Sequence, residues 1–292
     1  MNKYYFMDHM QCPVCGNSSK LKFKLKFNVY KCRECGLFTS DANFDFSFKS
    51  DLELQSREIG LKKLRFSNFE TIIKKLEELK GKKTKGLEIG SGNGWWLKVC
   101  QEKGIDCIGI EPENSHQDYY TENGLNVYYG FYPSPEVKSE KGYDFIIFND
   151  VFEHIKELDE LITALKKDLA ENGTLIINLP MSDGFFYRSA MLLHQFGINS
   201  YLTRMWQFNF HSPHMNYFNQ KNLTMLLNRH GFVKAEDIQL ESLDFSTVKE
   251  RIKADGGVNK LKAMFLSTGI SLLKPLILSS KPDIRVFFFN KK

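Results

Sequence analysis

The 292-residue chain has no uninterrupted apolar run near the roughly 18 residues that a membrane-crossing helix needs. A transmembrane segment is therefore not expected. Its opening residues, MNKYYFMDHM, have neither an apolar core nor a cleavage pattern, so the expectation is a cytoplasmic protein. Neither sign of charge dominates: 40 basic residues stand against 35 acidic ones, with no arginine-rich stretch. Nucleic-acid binders usually carry a stronger or more clustered excess, so a nucleic-acid partner is not expected. No internal repeat or low-complexity tract is visible. Cysteine is scarce, six in all, and in a reducing compartment paired spacing points to metal before disulfide.

Four of those cysteines do come in pairs. Cys12 and Cys15 stand in CPVCG, Cys32 and Cys35 in CRECG. A Cys-x-x-Cys turn aims two thiolates at one point, and the following glycine permits the tight turn. Two such knuckles supply four soft ligands, which favours tetrahedral Zn²⁺ in a closed, structural site. Between them, LKFKLKFNVY alternates apolar and basic residues and reads as a strand or hairpin. Residues 1–40 are thus expected to form a small zinc ribbon. Cys100 and Cys107 read as small buried hydrophobes.

Residues 41–56 have no sustained period and read as a linker. From Arg57 to Lys80, apolar residues at Leu61, Leu64, Phe69, Ile72, Ile73 and Leu76 fit a helix. Beyond it, strands near 86–90, 106–111, 125–129, 143–149 and 173–179 alternate with helices near 94–103, 114–123 and 151–169. After a long aromatic stretch come a helix at 220–230, a strand near 234–241 and a last strand, IRVFFFN. The expected class is α/β: a doubly wound, seven-stranded, mostly parallel sheet with its last strand antiparallel.

The first of those strands ends in LEIGSGNG, with Glu88 before glycines 90, 92 and 94; the second, CIGI, ends at Glu111-Pro112. A glycine turn at one strand tip and a carboxylate at the next form an adenosine-shaped pocket. The spacing is G-x-G-x-G rather than the G-x-G-x-x-G of dinucleotide folds, and no Gly-Lys-Ser/Thr follows for a phosphate loop. Glu88 suits a polar, zwitterionic ligand. With YDFIIFNDVFEHI, NGTLIINLP and the later SPHMNYFNQKNLTMLLNRHGF, the pattern resembles the class I S-adenosylmethionine-dependent methyltransferases, in their ubiquinone-methyltransferase-like subgroup. The resemblance covers roughly residues 57–292. It implies that the turn at Gly90, Ser91, Gly92 and Gly94 packs on the methionine part of the cofactor. It also implies that Glu111 accepts the ribose hydroxyls, with Pro112, Gly130 and Phe131 near the adenine and Asn149 at the same cleft.

The reaction centre is expected at Asn149, Asp150, Glu153 and His154. On a helix beginning near Asp150, positions 150, 153, 154 and 157 share one stripe. One reading makes Asp150, Glu153 and His154 an active-site group with His154 as general base. This D-x-x-E-H resembles the E-x-x-E-H by which some O-methyltransferases hold Mg²⁺, with His214 as a further ligand. The other reading is a helix cap, Asp150 at the N-cap with Glu153 as its reciprocal partner.

The insertion from Met181 to Asn219 carries Phe185, Tyr187, Trp206, Phe208 and Tyr217 with Arg188, His211 and His214. Overhanging the strand ends, it would suit a sugar, a nucleotide-linked sugar or a planar acceptor. The leading expectation is O-methylation of a small or carrier-linked acceptor, such as a surface-glycan sugar. RNA methylation and cofactor binding without turnover stay open as alternatives. The apolar stretch at 258–278 would cover a domain face, a homodimer partner or a membrane surface.

Overall fold

The computed structural model describes residues 9–44, 51–81, 84–245, 248 and 260–292. Four short strands open the chain: β1 (His9–Gln11), β2 (Ser18–Lys24), β3 (Asn28–Cys32) and β4 (Phe38–Ser40). Helix α1 (Asp51–Lys80) follows, starting six residues before the Arg57 expected from sequence; residues 45–50 lie outside the described set. The alternating part then runs β5 (Lys85–Ile89), α2 (Trp95–Glu102), β6 (Asp106–Glu111), α3 (Gln117–Asn123), β7 (Val127–Tyr129), β8 (Tyr143–Asn149), α4 (Leu158–Asp168) and β9 (Leu169–Pro180). The insertion holds α5 (Phe185–Gln195), α6 (Ser200–Met205) and β10 (Asn216–Tyr217). Last come α7 (Gln220–Arg229), β11 (Phe232–Leu240), α8 (Lys260–Leu272), α9 (Lys274–Ser279) and β12 (Ile284–Lys291). Val258, where the expected C-terminal apolar helix begins, lies outside the described residues. No described helix is long and apolar enough to cross a membrane.

Seven strands form the main sheet in the order β11-β12-β9-β8-β5-β6-β7, with β12 antiparallel to both neighbours. The expected fold class therefore holds. Its central strands read as continuous apolar runs because both faces are covered. On β8, Phe145 and Ile147 pack with α1 and α2, while Ile146 and Phe148 pack with α4 and α7. Strand β5 sits between β6 and β8, so the chain first winds one way and then jumps back across it. That reversal leaves an open crevice at the carboxyl ends of β5 and β8.

The second sheet was not expected in this form. Its order is β1-β2-β3-β4-β10, so the cysteine-bearing hairpins continue into a strand of the insertion. The inner face of this sheet, Phe23, Val29 and Phe38, packs with Tyr187, Trp206, Phe208 and Tyr217. The ribbon is thus one layer of a small sandwich completed by the insertion, because neither piece alone could cover its apolar side.

Candidate active site

A cleft of about 1770 Å³ opens at the crevice. The turn after β5 takes left-handed φ angles at Gly90, Gly92 and Gly94, of 77°, 48° and 70°. A Cβ at Gly90 would stand 2.6 Å from Cγ2 of Val151, so glycine is required both for its dihedral and for that approach. Across the turn, Glu111 accepts the Gly92 N–H through Oε2 at 2.8 Å and the Glu113 N–H through Oε1 at 3.1 Å. Asn149 donates from Nδ2 to Oε1 of Glu88 at 2.9 Å. The other oxygen of Glu88 is buried without a hydrogen-bond partner, and burial pushes this carboxyl up to about 8. Ser91, Pro112, Gly130 and Phe131 line the same wall.

On the facing wall, Asp150 has a left-handed φ of 55°, and its N–H donates to the Asn178 carbonyl at 2.9 Å. That kink prevents a helix from starting there. A single 3₁₀ turn, Phe152–His154, follows, and α4 begins only at Leu158. The expected stripe on one helix is therefore absent, and so is the capping box. Instead Asp150 pairs with Arg65 of α1 at 2.8 Å.

His154 lines the cleft. Its Nδ1 lies 3.0 Å from the Pro213 carbonyl and 3.1 Å from Oγ of Ser212. A carbonyl can only accept, so Nδ1 carries the hydrogen and Nε2 keeps its lone pair. Burial lowers His154 to about 4, which leaves the imidazole neutral at neutral pH. Glu153 and His214 are not among the cleft-lining residues. Both are buried; neither Glu153 oxygen has a hydrogen-bond partner among the described residues, and His214 Nε2 is 3.9 Å from its Oε1. Burial drives the Glu153 carboxyl well up and the His214 imidazole well down. Donor atoms of Glu153, His154 and His214 lie within 4.8 Å of one another, a grouping that excludes Asp150.

The methyltransferase-domain family profile matches residues 61–236, more than half of the chain. The chain belongs to the class I S-adenosylmethionine-dependent methyltransferases. Ubiquinone biosynthesis O-methyltransferases of Rickettsia canadensis and Rickettsia conorii are each 29% identical to it over 96 residues, 32% of this chain. The match spans only 41% and 33% of those relatives' lengths. A SAM-dependent methyltransferase from Thermotoga maritima superposes with a TM-score of 0.54 at 16% identity, covering 82% of this chain and 95% of that one. A cyclopropane synthase from Mycobacterium tuberculosis superposes with a TM-score of 0.52 at 14% identity, over 75% and 84%. These two likenesses concern the fold.

In this methyltransferase the insertion meets the cleft differently from the sequence expectation. Tyr187, Trp206, Phe208 and Tyr217 are buried under the ribbon sheet, and from the insertion only Gln207, His211 and Ser212 line the cleft. The aromatic residues thus serve packing, so they give no support for a stacked sugar. His211 bridges the cleft by pairing with Glu113 at 2.9 Å. Sequence reasoning missed Arg65 altogether, because the apolar period of α1 offers no local signal for a cleft-facing cation.

The four ribbon cysteines converge. Cys12 and Cys35 have Sγ atoms 3.5 Å apart, as do Cys15 and Cys32, and all four lie within 4.8 Å. Gly16 and Gly36 turn each knuckle with φ of 73° and 76°. Cys100 is buried and Cys107 half-buried, in keeping with packing roles.

Proposed function

We propose that the protein transfers a methyl group from S-adenosylmethionine to a hydroxyl of a small or carrier-linked acceptor, with His154 as general base. The observation that carries this reading is the neutral His154. Its Nδ1–H is anchored on the Pro213 carbonyl, which leaves Nε2 for the acceptor. An amine acceptor can attack from its neutral form without prior proton loss. A hydroxyl gains from a base in the transition state, so a half-buried neutral imidazole lining the cleft favours oxygen over nitrogen.

Residues at the donor wall fit the cofactor. Glu111 faces the cleft as an acceptor for ribose hydroxyls, the Gly90 turn admits close backbone approach, and the orphaned Glu88 oxygen suits an ammonium or its hydration shell. The bound cofactor supplies a sulfonium-activated methyl. The chain's part is to align the acceptor oxygen and hold its departing proton on His154 Nε2. Phe44, Arg65, Gln207 and Ser212 line the cleft and are the proposed acceptor contacts, compatible with a sugar or phenol.

Magnesium fits less well. Mg²⁺ demands a near-octahedral shell of oxygen ligands, whereas Glu153, His154 and His214 offer one carboxylate and two imidazoles while Asp150 engages Arg65. Zinc suits the ribbon: Zn–S bonds of about 2.3 Å in a tetrahedron put sulfurs roughly 3.8 Å apart, close to the 3.5 Å of both thiol pairs.

The test is transfer of labelled methyl from S-adenosylmethionine into a panel of sugars, nucleotide sugars, quinols, amines and RNA. Incorporation into amines alone would overturn the hydroxyl assignment, and RNA alone would support the RNA alternative. At the donor wall, Glu111→Ala is expected to weaken cofactor binding in calorimetry by about 10²-fold.

Glu88 gives a pH signature. Its folded value of about 8 lies above the ordinary 4.5, so the free protein holds a proton there that the unfolded chain releases. Its contribution is full below pH 4.5 and is lost as pH rises through 8. A cation at the orphaned oxygen favours the carboxylate, so binding at pH 7 is expected to release a proton. Calorimetry in buffers of different ionisation enthalpy measures it, and Glu88→Gln abolishes the release.

A further inference from the structure

The chain's net charge of +5 is not spread evenly. Residues 9–44 carry Lys20, Lys22, Lys24, Lys26, Lys31 and Arg33 against only Glu34 and Asp41. Asp41 is taken up by the backbone and side-chain N–H groups of Asn28. Along β2, Ser19 and Phe23 are buried while Lys20, Lys22 and Lys24 are exposed, and a bulge between Leu21 and Phe23 interrupts the alternation of the strand. Lys20 stands directly opposite Lys31 of β3, which in turn stands opposite Phe38, so both exposed lysines lie on the face against which the insertion packs; His9 of β1 stands opposite Lys20. Like charges paired across strands destabilise a sheet, so this row is costly for the free protein. An anionic partner offsets that cost.

Beside this face lies an exposed apolar tip. Phe23 meets His194 edge-on with ring centroids 4.9 Å apart, which sets the β2–β3 hairpin against the end of α5. In the turn that follows, Phe196 is 76% exposed, Ile198 43% and, one turn back, Leu192 55%. A hydrogen bond of 2.7 Å between His194 Nδ1 and Asn199 Oδ1 braces the turn. Apolar side chains of this size in a braced, solvent-facing turn are left largely uncovered among the described residues.

We propose that the ribbon face and the α5–α6 turn together form a docking surface for an anionic lipid bilayer. The lysines meet the headgroups, and Phe196, Ile198 and Leu192 enter the headgroup–acyl boundary. A single-stranded nucleic acid fits less well: the exposed side chains of β1–β3 include no Phe, Tyr or Trp on which bases would stack. The surface is distinct from the apolar C-terminal helices. It stands apart from the methyl-transfer reading, since docking needs neither cofactor nor turnover.

The experiment is co-sedimentation of the full-length, metal-loaded protein with phosphatidylglycerol–phosphatidylcholine vesicles and with vesicles of phosphatidylcholine alone. Binding is expected only with the anionic lipid, and is expected to fall as salt rises. The triple variant Lys20→Glu, Lys22→Glu, Lys31→Glu is expected to lose at least about tenfold in partitioning. Phe196→Ser should lose several-fold while keeping the salt dependence. Circular dichroism and cofactor affinity unchanged from wild type establish that both variants fold; Lys31→Ala alone is the milder substitute. Equal binding to neutral vesicles, wild-type binding by the triple variant, or displacement of vesicles by single-stranded polyuridylate would each overturn the proposal. So would dimerisation that Phe196→Ser abolishes, because the turn would then belong to a second copy of the chain.

Discussion

His154→Gln is expected to lower kcat by about 10²- to 10⁴-fold, the usual range for losing a general base, while cofactor affinity stays at the wild-type value. Glutamine keeps a donor for the Pro213 carbonyl but presents no basic lone pair to the acceptor. The pH behaviour separates this role from a structural one. With its folded value lowered to about 4 by burial, His154 stays in the base form well below the ordinary 6.5. The acid limb of kcat is therefore expected near pH 4 to 5 rather than near 6.5, and the variant's residual rate should lack that limb. The same shift affects stability with a defined sign. Between pH 6.5 and 4 the unfolded chain binds a proton that the folded one refuses, so stability falls as pH falls through that window. Thermal midpoints taken across it should decline less in His154→Gln. Unchanged turnover in the variant, with the true acceptor, would remove the base assignment.

Loss of the zinc proposed for the ribbon is expected to be the largest stability effect in the chain. Chelation, or Cys35→Ser, should lower the thermal midpoint by roughly 10 °C or more, since a structural Zn²⁺ contributes folding free energy directly. Turnover should fall with it, because the ribbon is bonded to the wall that carries His154. Ser40 donates its N–H to the Met215 carbonyl and its hydroxyl to the His214 carbonyl, and Met215 donates its N–H to the Glu153 carbonyl. Asn216 of β10 donates to the Ile155 carbonyl. Cofactor binding should be spared, since the glycine turn and Glu111 belong to the main sheet. The readouts are metal content, calorimetric melting and cofactor affinity, measured on one preparation. A chelated protein that melts and turns over like the untreated one would mean that the cysteine cluster carries no structural metal.

Much of this was legible in the chain, for identifiable reasons. The donor wall is local. LEIGSGNG puts Glu88 and three left-handed glycines within one turn, and Glu111 follows at the tip of the adjacent strand. Both cysteine knuckles are local as well, since two-residue spacing and a trailing glycine dictate where the thiols point. The reaction side was only half readable. D-x-x-E-H marked a segment that lines the cleft through Asp150 and His154, but helical periodicity misplaced its members, because the left-handed Asp150 turns the chain before any helix can form.

What the sequence by itself determined, then, was the alternation of strands and helices, the glycine turn with its carboxylates and the four converging thiols. Each rests on contacts between residues close in the chain or on a period that burial imposes. Only the tertiary structure decided that Arg65 of α1 reaches Asp150, that His211 bridges to Glu113, and that Glu153 and His214 sit buried behind His154. It also turned the aromatic insertion from an acceptor cap into the partner layer of the ribbon. These outcomes depend on which faces find each other across long stretches of chain. A pattern of residue types records that a face is apolar, but not which other face will cover it.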